Sequence, residues 1–161
     1  MTRNAEYWRK QLNLIAHPEG GSYVSSLTAS ASIPTKNGER PLFTSIYFML
    51  AEGEVSHFHQ LQSDEIWYYH DGAPLVVHMI SKDGEYSTVK LGVDMESGQQ
   101  PQLVVPAGTI FGSSMAGEGG YSLVGCMVSP GFDFKDFKLF SEEELLNQFP
   151  EHAMIIEKMT P

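Results

Sequence analysis

Residues 54–72 read EVSHFHQLQSDEIWYYHDG. His57 and His59 stand one residue apart, and two acids and a run of aromatics follow. Side chains alternate faces along a strand. His57 and His59 therefore share a face, with Phe58 on the other. Beyond the short connection QLQSD, Glu65, Trp67 and Tyr69 share one face, and Ile66, Tyr68 and His70 share the opposite one. If the two strands pair as a hairpin, both imidazoles and the Glu65 carboxylate converge. Two imidazoles and one carboxylate can hold a divalent metal (Zn, Mn, Fe or Ni) with open positions. Without metal they form an acid–base cluster. The plainer alternative is a pair of hydrogen-bonded wall residues.

Strand-like runs continue on both sides, at 22–29, 42–50, 74–80, 86–91, 102–106, 109–115 and 121–128. Turn signals separate them, among them Asn37-Gly38, Asp71-Gly72, Asp83-Gly84 and Gly119-Gly120. Helical patterns are confined to the ends. A short helix is predicted near 4–14, stopped by HPEGG (17–21). A second is predicted at 141–148, opened by the capping box Ser141-x-x-Glu144 and closed by Pro150. Many short strands in 161 residues predict one all-β domain, a closed barrel or sandwich of the jelly-roll kind with helices packed outside.

Ten Lys and Arg against twenty Asp and Glu, a formal charge of −10, argue against nucleic-acid and anionic-membrane partners. One cysteine, Cys126, allows no intrachain disulfide and reads as a buried structural thiol. With no signal-peptide pattern and no long apolar run, a soluble, cytoplasmic protein is expected.

Gly53-x3-His57-x-His59-x5-Glu65-x6-Gly72 resembles the first cupin motif, and VVPAGTIF (104–111) is similar to the core of the second. HPEGGSY (17–23), TSIYFML (44–50), SDEIW (63–67) and VSPGFDF (128–134) narrow the resemblance to the DUF985, or cupin-5, subgroup. The resemblance implies a double-stranded β-helix, the RmlC-like jelly roll, commonly as a homodimer. It also implies a sugar-epimerase-like activity, by analogy with deoxysugar epimerases. The sequence departs where metal-binding cupins carry a third histidine: that position is Phe111, and the expected Asn is Met115. Asp64 competes with Glu65 for the acid position. The strand phase favours Glu65 and makes Asp64 a loop anchor.

The leading expectation is a small-molecule isomerase or epimerase with no strict need for metal. His59 is the base, oriented by Glu65, and Tyr69, Tyr47 or Tyr121 is the acid. His57, Trp67, Phe111, Tyr47 and, at the rim, Glu19 are expected to contact the ligand. The alternatives are a metal-dependent enzyme using His57, His59 and Glu65, and a binder that stacks a ring without turnover. Basic residues for a nucleotide-sugar diphosphate are scarce. His17 reads as a surface or capping residue. SPGFDFKDFKLF (129–140) reads as an edge strand with Phe132 and Phe134 on one face, covering the barrel or joining two subunits.

Overall fold

The computed structural model describes residues 2–161. Helix α1 (Ala5–Leu12) leads into β1 (Ile15–Ala16), β2 (Ser22–Thr28), β3 (Ser32–Thr35), β4 (Gly38–Pro41) and β5 (Thr44–Ala51). The centre supplies β6 (Val55–Gln60), β7 (Asp64–Gly72), β8 (Leu75–Ile80), β9 (Tyr86–Leu91), β10 (Gln102–Val105), β11 (Ile110–Met115) and β12 (Tyr121–Ser129). A two-residue strand, β13 (Lys138–Leu139), precedes α2 (Glu142–Gln148) and α3 (Ala153–Met159). A six-stranded sheet, β1-β2-β5-β12-β7-β10, faces a five-stranded sheet, β13-β6-β11-β8-β9, and a separate hairpin, β3-β4, lies between β2 and β5 in sequence. The fold is all-β with terminal helices, as expected. It is two antiparallel sheets of a jelly roll, not a hydrogen-bonded closed barrel.

The two sheets bury Phe48, Leu50, Trp67, Leu75, Val77, Leu91, Phe111 and Val124 between them. Burial of such side chains is worth roughly 1.5–3 kcal/mol each. The outer face of the five-stranded sheet is buried too. Phe58, Ile80 and Ile110 meet Phe140, which follows β13, and Leu145, Ile156 and Met159 from the C-terminal helices. The capping box forms as the spacing predicts: Ser141 Oγ accepts from the Glu144 N–H, and the Glu144 carboxylate accepts from the Ser141 N–H. α3 was not legible, and no side chain caps its start.

Strand order changes the reading of residues 54–72. β6 and β7 do not pair as a hairpin. β6 pairs with β11 and β13, whereas β7 pairs with β12 and β10. Their connection crosses from one sheet to the other, so His59 and Glu65 belong to facing sheets. Asp64 anchors the crossing: its carboxylate accepts from the Ala107 N–H at 2.8 Å.

β6 also carries a bulge. Ser56 pairs with Ser113 and His59 with Phe111, so His57 and Phe58 together stand opposite Gly112 alone. A Cβ on Gly112 would come within 2.5 Å of the Ser56 carbonyl oxygen, so this position admits no side chain without moving backbone. The bulge breaks the alternation that put His57 and His59 on one face.

Residues 129–140 are not an edge strand. The chain makes a 3-10 turn at Phe134–Asp136, and only Lys138–Leu139 pairs with β6. The Asp133 side chain accepts from the Lys135 N–H, which favours the turn over extension. Asp136 receives two hydrogen bonds from the Arg40 guanidinium of β4, at 2.8 and 3.0 Å. Phe132 N–H donates to Thr44 Oγ1. The β3-β4 hairpin and β5 thus hold a wall of phenylalanines against one end of the two-sheet interior.

Candidate functional site

The site begins at the turn between β1 and β2. Gly20 and Gly21 have φ of +109° and +72°, a region that suits glycine. A Cβ on Gly20 would lie 2.0 Å from the Val55 carbonyl oxygen, so the turn presses backbone to backbone on β6. The Glu19 carbonyl accepts from the His57 N–H at 2.6 Å. This docking carries the Glu19 side chain past the rim into the interior, where the residue is 6% exposed.

Glu19 meets His59 there. His59 Nε2 is 2.7 Å from Glu19 Oε2, and His59 Nδ1 is 2.7 Å from the His57 carbonyl oxygen. A carbonyl only accepts, so Nδ1 carries a proton. The other nitrogen faces a carboxylate, which makes the ring an imidazolium. Burial opposes both charges, yet the attraction and hydrogen bond between them prevail: the His59 pKa is raised and that of Glu19 lowered.

Glu65 approaches from the facing sheet. Burial first, and then the Glu19 charge, push its carboxyl up to about 8, against the smaller pull of His59. Glu65 Oε2 is buried with no hydrogen-bond partner, and Trp67 Nε1 is likewise unpartnered. The indole eases the carboxyl pKa down slightly, but at no geometry that makes a hydrogen bond. Near neutral pH the cluster therefore holds a carboxylate, an imidazolium and a protonated carboxyl.

A pocket opens onto this cluster, with about 40 Å³ of space for water centres. His17, Tyr23, Phe132, Phe137 and Cys126 share its lining with Glu19, His59 and Glu65. His17 Nδ1 accepts the Glu19 N–H at 3.1 Å, so its proton sits on Nε2, and burial lowers its pKa. Its 3.7 Å approach to the Glu19 carboxylate is accordingly not an ion pair. The Cys126 thiol is buried, as expected, and burial and the two nearby carboxyl groups hold its pKa well above the ordinary value.

The structure brings together His59, Glu65 and Glu19 among the residues the sequence singled out, and sets the others elsewhere. His57 is turned aside by the bulge and does not line the pocket. Trp67 and Phe111 are each 1% exposed. Phe111 packs 4.2 Å from the His59 ring centre, so these rings are a floor under the site and not a stacking surface. Tyr69 points inward but stands four residues along β7 from Glu65, about 13 Å. Its hydroxyl donates to the Gly72 carbonyl. Tyr47 is on the outer face of the six-stranded sheet, 5.7 Å from the His70 ring centre. Tyr121 donates to Asp71 at 2.7 Å, away from the pocket. None of the three tyrosines lines the pocket. Tyr23 and His17 do line the pocket. The sequence signal for His17 is its place two residues before Glu19 in HPEGG; in the structure it lines the pocket instead of capping the helix.

The metal set does not assemble. Among the described residues no group of three or more His, Cys, Asp or Glu side chains is arranged to hold an ion. Both His59 nitrogens are committed, and His57 is displaced, so His57, His59 and Glu65 do not fit Zn, Mn, Fe or Ni. His57→Gln is accordingly expected to cost under about 1 kcal/mol. His59→Gln leaves Glu19 an unpaired buried carboxylate and costs about 3 kcal/mol or more. Urea denaturation at pH 6 measures both, and equal losses would return His57 to the site.

Two antiparallel sheets closed over a titratable pocket, with its histidine on the strand before the crossing, define a cupin-type jelly roll. The family described as Cupin superfamily (DUF985) matches residues 6–140, and the chain belongs to it. The chain is similar to protein SO0799 of Shewanella oneidensis, with 49% identity, 99% of both chains covered and a TM-score of 0.93. It is also similar to a hypothetical protein from Leishmania major, with 41% identity, 98% and 99% covered and a TM-score of 0.94. The uncharacterized protein YML079W of Saccharomyces cerevisiae is 29% identical over 157 residues, 87% of this chain and 78% of that one. A Bacillus subtilis oxalate decarboxylase shares the fold alone, at 14% identity and a TM-score of 0.56 over 89% of this chain and 36% of that one.

Proposed function

We propose that the pocket binds a small molecule and exchanges a proton with it through Glu65, an isomerase- or epimerase-like chemistry. The observation that carries this is the buried, unpartnered Glu65 Oε2 in a pocket. A carboxyl that titrates near neutrality can both give and take a proton. His59 is not the base, because both of its nitrogens are occupied. It is a positioning residue: with Glu19 it forms a neutral ion pair that sets the field around Glu65. His17 Nε2–H is the second proton donor lining the pocket.

The sugar-epimerase reading narrows accordingly. Among the described residues no lysine or arginine lines the pocket, so a nucleotide-sugar diphosphate has no cationic partner there. A compact carbonyl compound or the reacting end of a free sugar suits it better. The test is incubation in D2O with a panel of small aldoses, ketoses and hydroxyketones. Mass spectrometry should show deuterium entering beside the carbonyl of at least one, and Glu65→Gln should abolish it. Wash-in that survives Glu65→Gln would remove Glu65 from the chemistry. Tight binding across the panel with no wash-in would favour the binder without turnover.

A further inference from the structure

Glu65 Oε2 makes no hydrogen bond, although its residue is only 7% exposed, and the unpartnered Trp67 Nε1–H beside it is not placed to donate. Burial of such an oxygen is costly unless a donor or a positive charge reaches it. The groups that face it are known. Glu19 and His17 come from the β1–β2 turn, Tyr23 from β2, His59 from β6 and the Cys126 thiol from β12. Trp67 is its neighbour on β7. Glu19 and His59 cancel each other's charge. Among the described residues no lysine or arginine lines the pocket, so an ionised Glu65 has no counter-charge beyond the imidazolium already paired with Glu19.

The lining is partly aromatic. Tyr23, Phe132 and Phe137 belong to it beside His17. The His17 ring centre is 4.5 Å from that of Tyr23 and 6.2 Å from that of Phe137, and Phe132 and Phe137 are 6.1 Å apart. A carboxylate and aromatic rings that share one lining attract positive charge: a ring quadrupole draws a cation over its face, and the carboxylate fixes it. The chain's formal charge of −10 adds a long-range field of the same sign.

We infer that the occupant of this pocket carries a small organic cation, an amine or amidine head of a few heavy atoms, bound between the Glu65 carboxylate and the Tyr23, Phe132 and Phe137 rings. This rests on the proposal that the Glu65 pocket is the ligand site, and names the class of ligand it takes. The cationic head replaces the proton that Glu65 holds in the free protein, and that proton passes to solvent. The β3-β4 hairpin acts on selectivity from outside the pocket, because Arg40 holds Asp136 and so the turn between Phe132 and Phe137.

Matched probes test it on the full chain by NMR titration at pH 8: propylammonium against 1-propanol, tetramethylammonium against tert-butanol, and propionate. The cations are expected to bind about tenfold or more tightly than their uncharged counterparts, with propionate weakest. Glu65→Gln should remove that preference, and Phe137→Leu should reduce it about threefold or more while leaving the carboxylate in place. Phe137→Leu also keeps the test open if Glu65→Gln does not fold. An alcohol or propionate that binds as well as the cation overturns the inference. So does cation binding that both substitutions leave unchanged, which would be diffuse attraction to an acidic surface. Failure here and failure of the proton-transfer reading differ. Cation preference without deuterium wash-in leaves this inference standing, whereas wash-in into an uncharged carbonyl compound without cation preference does the reverse.

Discussion

Glu65→Gln is expected to stabilise the protein at pH 7–8 while abolishing proton exchange. A carboxyl that titrates ordinarily at 4.5, and at about 8 when folded, keeps its proton in the native state after the unfolded chain has lost it. The raised folded value means that its contribution is fully present below pH 4.5 and is lost as pH rises toward 8. The loss amounts to about 3 kcal/mol at pH 7 and about 4 kcal/mol at pH 8, as upper limits. Glutamine has no such proton to lose. It does bring an amide NH2 to a place with no acceptor, which returns about 1 kcal/mol. The difference between wild-type and variant unfolding free energies, by urea denaturation at pH 4.5, 6 and 8, should therefore widen with pH in favour of the variant. A difference that stays flat would show that Glu65 is ionised in the native protein. A more stable but inactive variant is the usual trade at a functional group.

Glu19→Ala is expected to have the opposite effect on stability. It leaves His59 buried without its counter-charge, and breaking a buried pair costs about 3–5 kcal/mol. The window follows from the two directions. The raised His59 pKa gives stability that is full below its unfolded value of 6.5 and is lost as pH rises through the folded one. The lowered Glu19 pKa gives stability that is full above 4.5 and is lost as pH falls through its folded value. The deficit should be largest between pH 4.5 and 6.5. A control is Glu54→Ala, which removes the half-exposed pair with Arg9 and costs about 1 kcal/mol or less. Nitrogen-15 spectra of the histidine side chains give an independent reading. Wild-type His59 should keep both ring protons at pH 7, and in Glu19→Ala it should hold one. A neutral wild-type ring would undo the assignment of the pair.

Much of the strand plan is legible because alternation and turn chemistry act locally. The runs around β2, β5 to β12 and the capping box of α2 are written in residues that are neighbours in sequence. Asn37-Gly38 marks the turn of the β3-β4 hairpin, but its short strands and helix α3 carry weaker patterns, without a strong cap or a long apolar stripe. The segment 129–140 misled because spaced phenylalanines imitate a strand. Side-chain caps at Asp133 and the Arg40–Asp136 contact, 96 residues apart in sequence, bend it into a turn.

The sequence by itself determined that His59 and Glu65 are interior positions and that Glu19 sits on a turn whose glycines allow close approach. Only the tertiary structure decided who meets whom. One extra residue in β6 shifts its side-chain phase and removes His57. A crossing between sheets sets Glu65 opposite His59 instead of beside it. The docking of a distant turn on β6 drives Glu19 inward to claim the imidazole. Periodicity describes a strand relative to itself, whereas a charge pair is made by how strands and turns from separate parts of the chain close on one another, which no local pattern records.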